Sequence, residues 1–293
     1  MASVQARFLI NVQFGDNATG NAYGGGGPVV EPAQSGAAVL GSAGDMWNAL
    51  SGFTYSSYPT GGSGGPYSLV EGNGTLSGVT VSSLIFNGSF VSVEPNFPSF
   101  SAFTGTPWAN LMGAYISVPS STAPGYVLLA GLAPSATWDL VLYNAANANS
   151  GNFSAVRTTF FTVDGNTLSS TWDGVTSNLI QGVDYVEFTG VKSDAMGNLV
   201  IIFSGSAGSG LSAEGDFNGF QLEQVPEPVL VAVGTNSVIQ LTVSMPSPYY
   251  STIIQASTDL VNWVNIYTNT PPFIFSDSMV TTNSRFYRAV LGH

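Results

Sequence analysis

The chain has 293 residues, 17 of them acidic and five basic, and its formal net charge of −12 excludes nucleic acid as a partner, because polyphosphate binding depends on clustered Lys and Arg. Cysteine is absent, which excludes disulfides and thiolate chemistry. No apolar run approaches the roughly 20 residues of a membrane-spanning helix, so we expect no transmembrane segment.

Short apolar runs alternate with turn clusters along the chain, without the roughly 3.6-residue period of a helix. Before residue 225 they predict strands over residues 7–14, 79–86, 114–118, 126–129, 138–143, 158–163, 185–188, 199–203 and 217–222. Residues 45–48 (Asp-Met-Trp-Asn) are expected to open a short helical turn. Asp164-Gly165 predicts a hairpin, since both residues readily adopt positive φ. The fold class expected from this order is all-β, a jelly roll or β-sandwich.

Val225-Pro226-Glu227-Pro228 marks a domain boundary, because two prolines in three residues cannot continue a sheet ladder. We therefore predict a jelly-roll domain over residues 4–224, a linker over 225–228, and a small β-sandwich-like module over 229–293. The module's predicted strands are 229–233, 238–245, 251–256, 263–267 and 286–290. So short a module without disulfides has a small core, and we expect it to pack against the larger domain or a neighbouring molecule.

Four segments carry a resemblance to known proteins: Phe8-Leu9-Ile10-Asn11-Val12, Trp47-Asn48, Leu132-Ala133-Pro134 followed by Trp138-Asp139-Leu140, and Asp216-Phe217-Asn218-Gly219-Phe220-Gln221-Leu222. They resemble the galactose-binding-like jelly rolls of secreted surface proteins from Verrucomicrobia and Planctomycetes, which are relatives in style of malectin and of carbohydrate-binding modules. The C-terminal segments 254–263 and 285–289 resemble a small β module that ends many secreted Verrucomicrobia proteins. The resemblance implies a secreted, cell-surface bacterial protein.

The residue types present in the sequence argue against a catalytic function. His293 is the only histidine and is the last residue, which excludes a Ser–His–Asp triad, a His-based metal site and a His general base. Glu214-Gly215-Asp216 resembles the start of a Glu-x-Asp-x-x-Glu glycosidase strand, but Gly219 stands where the third acid would be. We predict a protein that is not an enzyme, with a carboxylate-pair hydrolase as the enzymatic alternative.

A structural calcium ion is the one cofactor that the sequence suggests. Sandwich carbohydrate-binding modules often hold Ca²⁺ between the first and last strands through carboxylate, amide and carbonyl oxygens. The candidate ligands are Asp16, Asn17, Asp216 and Glu223. The alternative is that these are solvated turn residues.

Aromatic side chains outside the predicted core are the candidates for sugar binding, because a sugar ring presents a C–H face that packs on a π surface. Trp172 lies in a polar, loop-like segment, Trp108 follows Thr106-Pro107, and Tyr58 stands among Ser and Gly. The alternative for each is a loop aromatic that covers the sheet. Trp138 and Trp263 are expected in the cores.

The resemblance also implies that Asn218, beside Asp216 at the start of the last strand, hydrogen-bonds sugar hydroxyls. The predicted ligand-binding set is therefore Trp172, Trp108, Tyr58, Asn218 and Asp216. The alternative for Asn218 is a turn residue that satisfies backbone groups.

Only 8% of the residues are charged, so surface polarity comes from Ser, Thr, Asn and Gln. Such a surface suits neutral polymers or copies of the same chain. We hypothesise an extracellular, non-catalytic protein that binds neutral polysaccharide and serves in adhesion. The alternative is a self-assembling subunit of a surface layer, fibre or filament, in which strand edges pair between copies.

Overall fold

The computed structural model describes residues 8–14, 28–30, 39–42, 44–50, 63–85, 103, 105–113, 115–118, 124–145, 156–173, 177–206, 214–234, 238–245, 251–278 and 285–292. These residues form twenty strands and one 3-10 turn, and no α-helix is found among them. The all-β prediction is confirmed. The chain divides into two compact units, Phe8–Gln224 and a smaller one that contains Val225–His293.

The large unit is a sandwich of two six-stranded sheets. Its strands are β1 (Leu9–Phe14), β2 (Pro28–Val30), β3 (Met46–Leu50), β4 (Ser63–Val70), β5 (Leu76–Ile85), β6 (Ile116–Val118), β7 (Gly125–Ala130), β8 (Thr137–Tyr143), β9 (Arg157–Val163), β10 (Asn166–Trp172), β11 (Tyr185–Lys192), β12 (Leu199–Gly205), β13 (Gly215–Phe217) and β14 (Gly219–Gln224). The first sheet has the order β11-β8-β14-β1-β3-β2 and the second β10-β9-β12-β7-β5-β4. A two-stranded sheet joins β6 and β13, and the 3-10 turn is Leu111–Gly113.

The main core lies between these two sheets, where every second side chain of a strand points inward. On β9, for example, Phe161 is buried whereas its neighbour Phe160 is 37% exposed. The ring of Phe217 lies at the centre, with centroid distances of 5.1 Å to Phe14 and Phe161 and 5.4 Å to Phe203. Each buried Phe side chain stabilises the fold by about 1.5–3 kcal/mol, so this cluster holds the sheets together.

The central strands of the first sheet are buried on both faces. All of β1 is buried, as is all of β8 except its first residue. On the outer face the Gln221 amide donates to the Leu40 carbonyl at 2.8 Å and accepts from the Leu40 N–H at 2.9 Å and the Tyr143 hydroxyl at 2.6 Å. A second cluster of buried side chains covers this face: Trp47, Phe103, Leu111, Met112, Val141, Tyr143, Ala145 and Trp172.

The small unit is a sandwich of two three-stranded sheets. It contains β15 (Val229–Gly234), β16 (Val238–Ser244), β17 (Ser251–Ser257), β18 (Val264–Asn269), β19 (Phe273–Ser278) and β20 (Phe286–Gly292), ordered β15-β16-β19 and β18-β17-β20. Its fully buried cluster consists of Leu241, Val243 and Ile254. Trp263, which we expected in this core, is half-buried and stands outside that cluster.

Two local predictions require correction. Residues 45–48 do not form a helical turn: Trp47 and Asn48 belong to β3, which pairs in parallel with β1, and this pairing overrides the local signal. The segment before Trp172, expected to be loop-like, belongs to β10, an edge strand whose side chains are mostly exposed and therefore polar. Among the described residues no helix is long and apolar enough to span a membrane.

Candidate functional site

Arg157, the first residue of β9, lies between two buried carboxylates. Its Nη1 is 2.6 Å from Glu214 Oε2 and 3.0 Å from Asp216 Oδ2, and the three side chains are 3%, 10% and 0% exposed. Burial alone lowers the pKa of the guanidinium, but Asp216 and Glu214 raise it above its ordinary value overall. Asp216, predicted as a ligand residue, is thus sealed in an ion cluster and offers no surface to a sugar.

The predicted calcium ligands do not come together as one site. β1 and β14 do pair, as such a site requires. However, Asp216 lies before the start of β14, whereas Glu223 lies near its other end. At the usual rise per residue of a strand, the two side chains are on the order of 20 Å apart. One cation cannot bind both. Asp16 and Asn17 lie outside the described residues, and within those ranges no group of three or more His, Cys, Asp or Glu could hold a metal ion.

Asn218 connects β13 to β14 and is fully buried. Its side-chain oxygen accepts a hydrogen bond from the Ala145 N–H at 2.5 Å. Its backbone N–H donates to the Tyr143 carbonyl at 3.0 Å, and its carbonyl accepts from the Phe14 N–H at 2.8 Å. Asn218 therefore satisfies backbone groups where three strands meet, which is the alternative that the sequence left open, and it is not accessible to a ligand.

A buried polar cluster continues from the ion cluster. Thr159 Oγ1 accepts from the Asp216 N–H at 2.8 Å and donates to Asn144 Oδ1 at 3.1 Å. Asn144 Nδ2 in turn donates to Ser170 Oγ at 2.9 Å. These bonds join Asn144, the residue after β8, to β9, β10 and β13 and compensate the burial of the polar groups.

Asp184 lies beside this cluster, where its carbonyl accepts a hydrogen bond from the Asn144 N–H at 2.8 Å. Its Oδ2 accepts from the Ile180 N–H at 2.9 Å, while Oδ1 is buried with no hydrogen-bond partner among the described residues. Burial raises the pKa of Asp184 from 3.8 to about 7, and the charge of Asp173 contributes to the rise.

The predicted sugar-stacking aromatics lie mostly inside the fold. Trp172 ends β10 and is fully buried, so its expected loop position is wrong and its ring offers no face to a sugar. Trp108 is half-buried, with its ring centroid 6.4 Å from that of Phe103, in the cover of the first sheet. This contact is the alternative that the sequence left open for Trp108. Tyr58 lies outside the described residues.

The second sheet differs from the first because its outer side chains are partly or fully exposed. On β9, β12, β7 and β5 the inward residues are buried and the outward residues are not. We call the outward set the open face: Thr158, Phe160, Thr162, Val200, Ile202, Ser204, Tyr126, Leu128, Ala130, Thr80 and Ser82. Not one of these side chains is charged, in a protein with a formal net charge of −12.

Two aromatic rings stand on the open face. Phe160 lies opposite Ser204 of β12, and Tyr126 lies opposite Ile202 of the same strand. The two rings are thus two strands and two residues apart, a separation of about 12 Å at ordinary sheet spacings. Apolar side chains and hydroxyls lie between and around them, so the surface combines C–H contacts with hydrogen-bonding groups over the span of a short oligosaccharide.

Our sequence reasoning missed this face, although a signal existed. Tyr126-Val127-Leu128-Leu129 and Val200-Ile201-Ile202-Phe203 are apolar at consecutive positions, so the outward residues are apolar where a solvated face would carry polar ones. From the sequence alone, both runs predict strands and nothing more.

Comparisons with known proteins give little further direction. No protein-family model and no curated protein matches the chain. Two solved structures are similar to part of it: a β-1,2-glucanase from Parabacteroides distasonis, 12% identical over 71% of this chain with a TM-score of 0.21, and the Agl-KA catalytic domain, 17% identical over 62% with a TM-score of 0.24. The chain covers 33% and 29% of those structures, about a third of their length. Similarity this low carries no argument about activity.

Proposed function

We propose that this is an extracellular, non-catalytic bacterial surface protein that binds a neutral polysaccharide across the open face and serves in adhesion. The observation that carries the proposal is a broad, uncharged sheet face that is partly accessible to solvent and bears two separated aromatic rings, Tyr126, which is half-buried, and Phe160, which is 37% exposed. The sandwich architecture agrees with the sequence resemblance to galactose-binding-like jelly rolls.

The chemistry of the open face matches that of a sugar chain. A pyranose ring presents apolar C–H groups on its faces and hydroxyls at its rim, and an aromatic ring packs against the former. Thr162 and Ser204 place hydroxyls next to the aromatic positions, and these hydroxyls suit the hydroxyls at the rim of the sugar. A neutral partner is favoured because the face has no charge to pair with an ionic group.

The ion cluster supports a protein without hydrolytic activity. Glu214 and Asp216 lie close together because both bind Arg157 Nη1. A glycosidase acid must hold a proton near neutral pH, whereas an adjacent guanidinium favours the ionised carboxylate. With the Asp216 side chain also fully buried, this carboxylate pair is better suited to stability than to catalysis.

Affinity electrophoresis through gels containing neutral plant or algal polysaccharides tests the proposal. At least one polymer should retard the protein, and Tyr126→Ala and Phe160→Ala should each reduce the retardation. Leu168→Ala is the matched control, since Leu168 is apolar and 40% exposed but lies opposite the inward Phe161. No retardation by any polymer would overturn binding, and release of reducing ends would overturn the non-catalytic part.

Self-assembly remains the second candidate, favoured by β15 of the small unit. β15 is a terminal strand of its sheet, and Val229, Val231 and Val233 on one of its faces are 55%, 52% and 55% exposed. An apolar edge strand is a template for pairing with a second copy. Light scattering across protein concentration should then show oligomers that Val231→Lys abolishes, whereas a strict monomer at high concentration would exclude this function.

A further inference from the structure

The outer face of one small-unit sheet carries a row of polar side chains. Arg288 of β20 lies opposite Gln255 of β17, which lies opposite Asn265 of β18. Arg288 Nε donates to Gln255 Oε1 at 2.7 Å, and Gln255 Nε2 donates to Asn265 Oδ1 at 2.7 Å. The row therefore fixes the orientation of each side chain across three strands.

An indole ring supports the arginine from a second direction. The guanidinium carbon of Arg288 lies 4.2 Å from the Trp263 ring centroid, a stacking distance. Trp263 is itself held by a hydrogen bond from Nε1 to the Leu260 carbonyl at 3.2 Å. Arg288 is exposed and yet held in one orientation by neutral groups, which preorganises its terminal N–H groups.

The other described arginines have carboxylate partners. Arg157 binds Glu214 and Asp216, and Arg285 Nη1 lies 2.8 Å from Asp277 Oδ2. Arg288 has no ion pair with any acidic residue in the part of the chain that the structure describes, although the protein has 17 acidic side chains. Its charge is thus available to an anion from outside the chain.

We propose that Arg288, with Gln255 and Asn265 beside it, binds the carboxylate of a hexuronate residue in a polysaccharide. With Nε engaged by Gln255, the two Nη atoms can bind a planar carboxylate in the bidentate mode. The neighbouring Asn265 amide suits the hydroxyls of the sugar ring. A polymer with sparse acidic groups fits best, because one cation on a protein of net charge −12 would not retain a polyanion.

This inference shares with the proposed function only the ligand class, a polysaccharide, because its residues all belong to the small unit. The two are therefore separable. Loss of neutral-polymer binding on Tyr126→Ala leaves the Arg288 site intact, and loss of uronate preference on an Arg288 variant leaves the open face intact.

Isothermal titration of the full chain with an otherwise neutral oligosaccharide that carries one glucuronate, and with the methyl ester of that oligosaccharide, tests the site. The acid should bind at least about tenfold more tightly than the ester. Arg288→Gln should remove this difference, and Arg288→Lys should restore only part of it, since an ammonium group cannot make the bidentate contact. Arg285→Gln, which alters an arginine already paired with Asp277, should keep the preference.

Three results would overturn the inference. The first is equal binding of acid and ester by the wild-type chain, and the second is an unchanged preference for the acid in Arg288→Gln. The third is competition by acetate as strong as that by the oligosaccharide, because the site would then recognise a carboxylate without the sugar that carries it. Unfolding midpoints measured for each variant separate a lost contact from a lost fold.

Discussion

The guanidinium of Arg157 lies 3.0 Å from the carboxylate of Asp216, and the two side chains are 3% and 0% exposed. The pair links the first residue of β9 to β13, two strands of different sheets. Thr159, two residues along β9, accepts from the Asp216 N–H at 2.8 Å and reinforces the same junction. These contacts hold β9 and β13 together at one end of the sandwich that carries the open face.

Removal of the guanidinium should strongly destabilise the large unit. Arg157→Met leaves Glu214 and Asp216 buried without a counter-charge, and we expect a loss of about 3–5 kcal/mol in the free energy of unfolding. Arg285→Met is the control, because its ion pair with Asp277 is partly exposed and should cost about 0–1 kcal/mol. Urea unfolding measures both, and equal losses in the two variants would contradict the account.

The contribution of Asp184 to the stability of the protein should fall as pH rises towards neutrality. Burial raises the pKa of Asp184 from 3.8 to about 7, so the folded state retains a proton that the unfolded chain releases. This stabilisation is complete below pH 3.8 and is lost as pH rises through about 7, by up to about 1.4 kcal/mol per pH unit.

Asp184→Asn should flatten this part of the pH dependence and raise the unfolding free energy at pH 8, because an amide cannot ionise. Asp164→Asn, in the exposed turn between β9 and β10, is the control. Unfolding free energies at several pH values between 4 and 8 check the prediction. A parallel pH profile for wild type and Asp184→Asn would refute it.

Asn48 should contribute strongly to the free energy of unfolding, because its side chain links the two sheets. Asn48 Oδ1 accepts from the Val70 N–H, and Nδ2 donates to the carbonyls of Val70 and Asn11, all at 2.9 Å. Asn48→Ala leaves these buried groups unsatisfied and should cost about 2–4 kcal/mol in thermal or urea unfolding. The exposed Asn166→Ala serves as control, and a similar small effect in both would speak against this role.

Most of the strands could be predicted from the sequence, because the alternation of apolar and polar residues and the residue types of turns are local features. The segment 158–163 and the Asp164-Gly165 turn emerge as β9 and its hairpin. β2, β3, β4, β10 and β19 were not predicted, and β3 and β10 show two opposite reasons. β3 is defined by pairing with β1, distant in sequence, and β10 is an edge strand whose exposed positions need no apolar residues.

The site was less accessible to sequence reasoning. The sequence marks Asp216 and Asn218 as unusual polar residues, but only the fold shows that Arg157 and the Ala145 N–H engage them. Partners so far apart along the chain leave no local pattern. The consecutive apolar residues around Tyr126 were visible, but their outward side chains become a surface only once one sheet is known to be covered and the other not.

The dissociation constant of the best-retarding neutral polysaccharide for wild type and for Tyr126→Ala/Phe160→Ala, measured by isothermal titration, tests the central claim most directly. Each ring should contribute about 1–1.5 kcal/mol, so the double variant should bind about 50-fold more weakly, while Leu168→Ala binds like wild type. Equal affinities of the double variant and wild type, with both chains folded, would contradict binding at the open face.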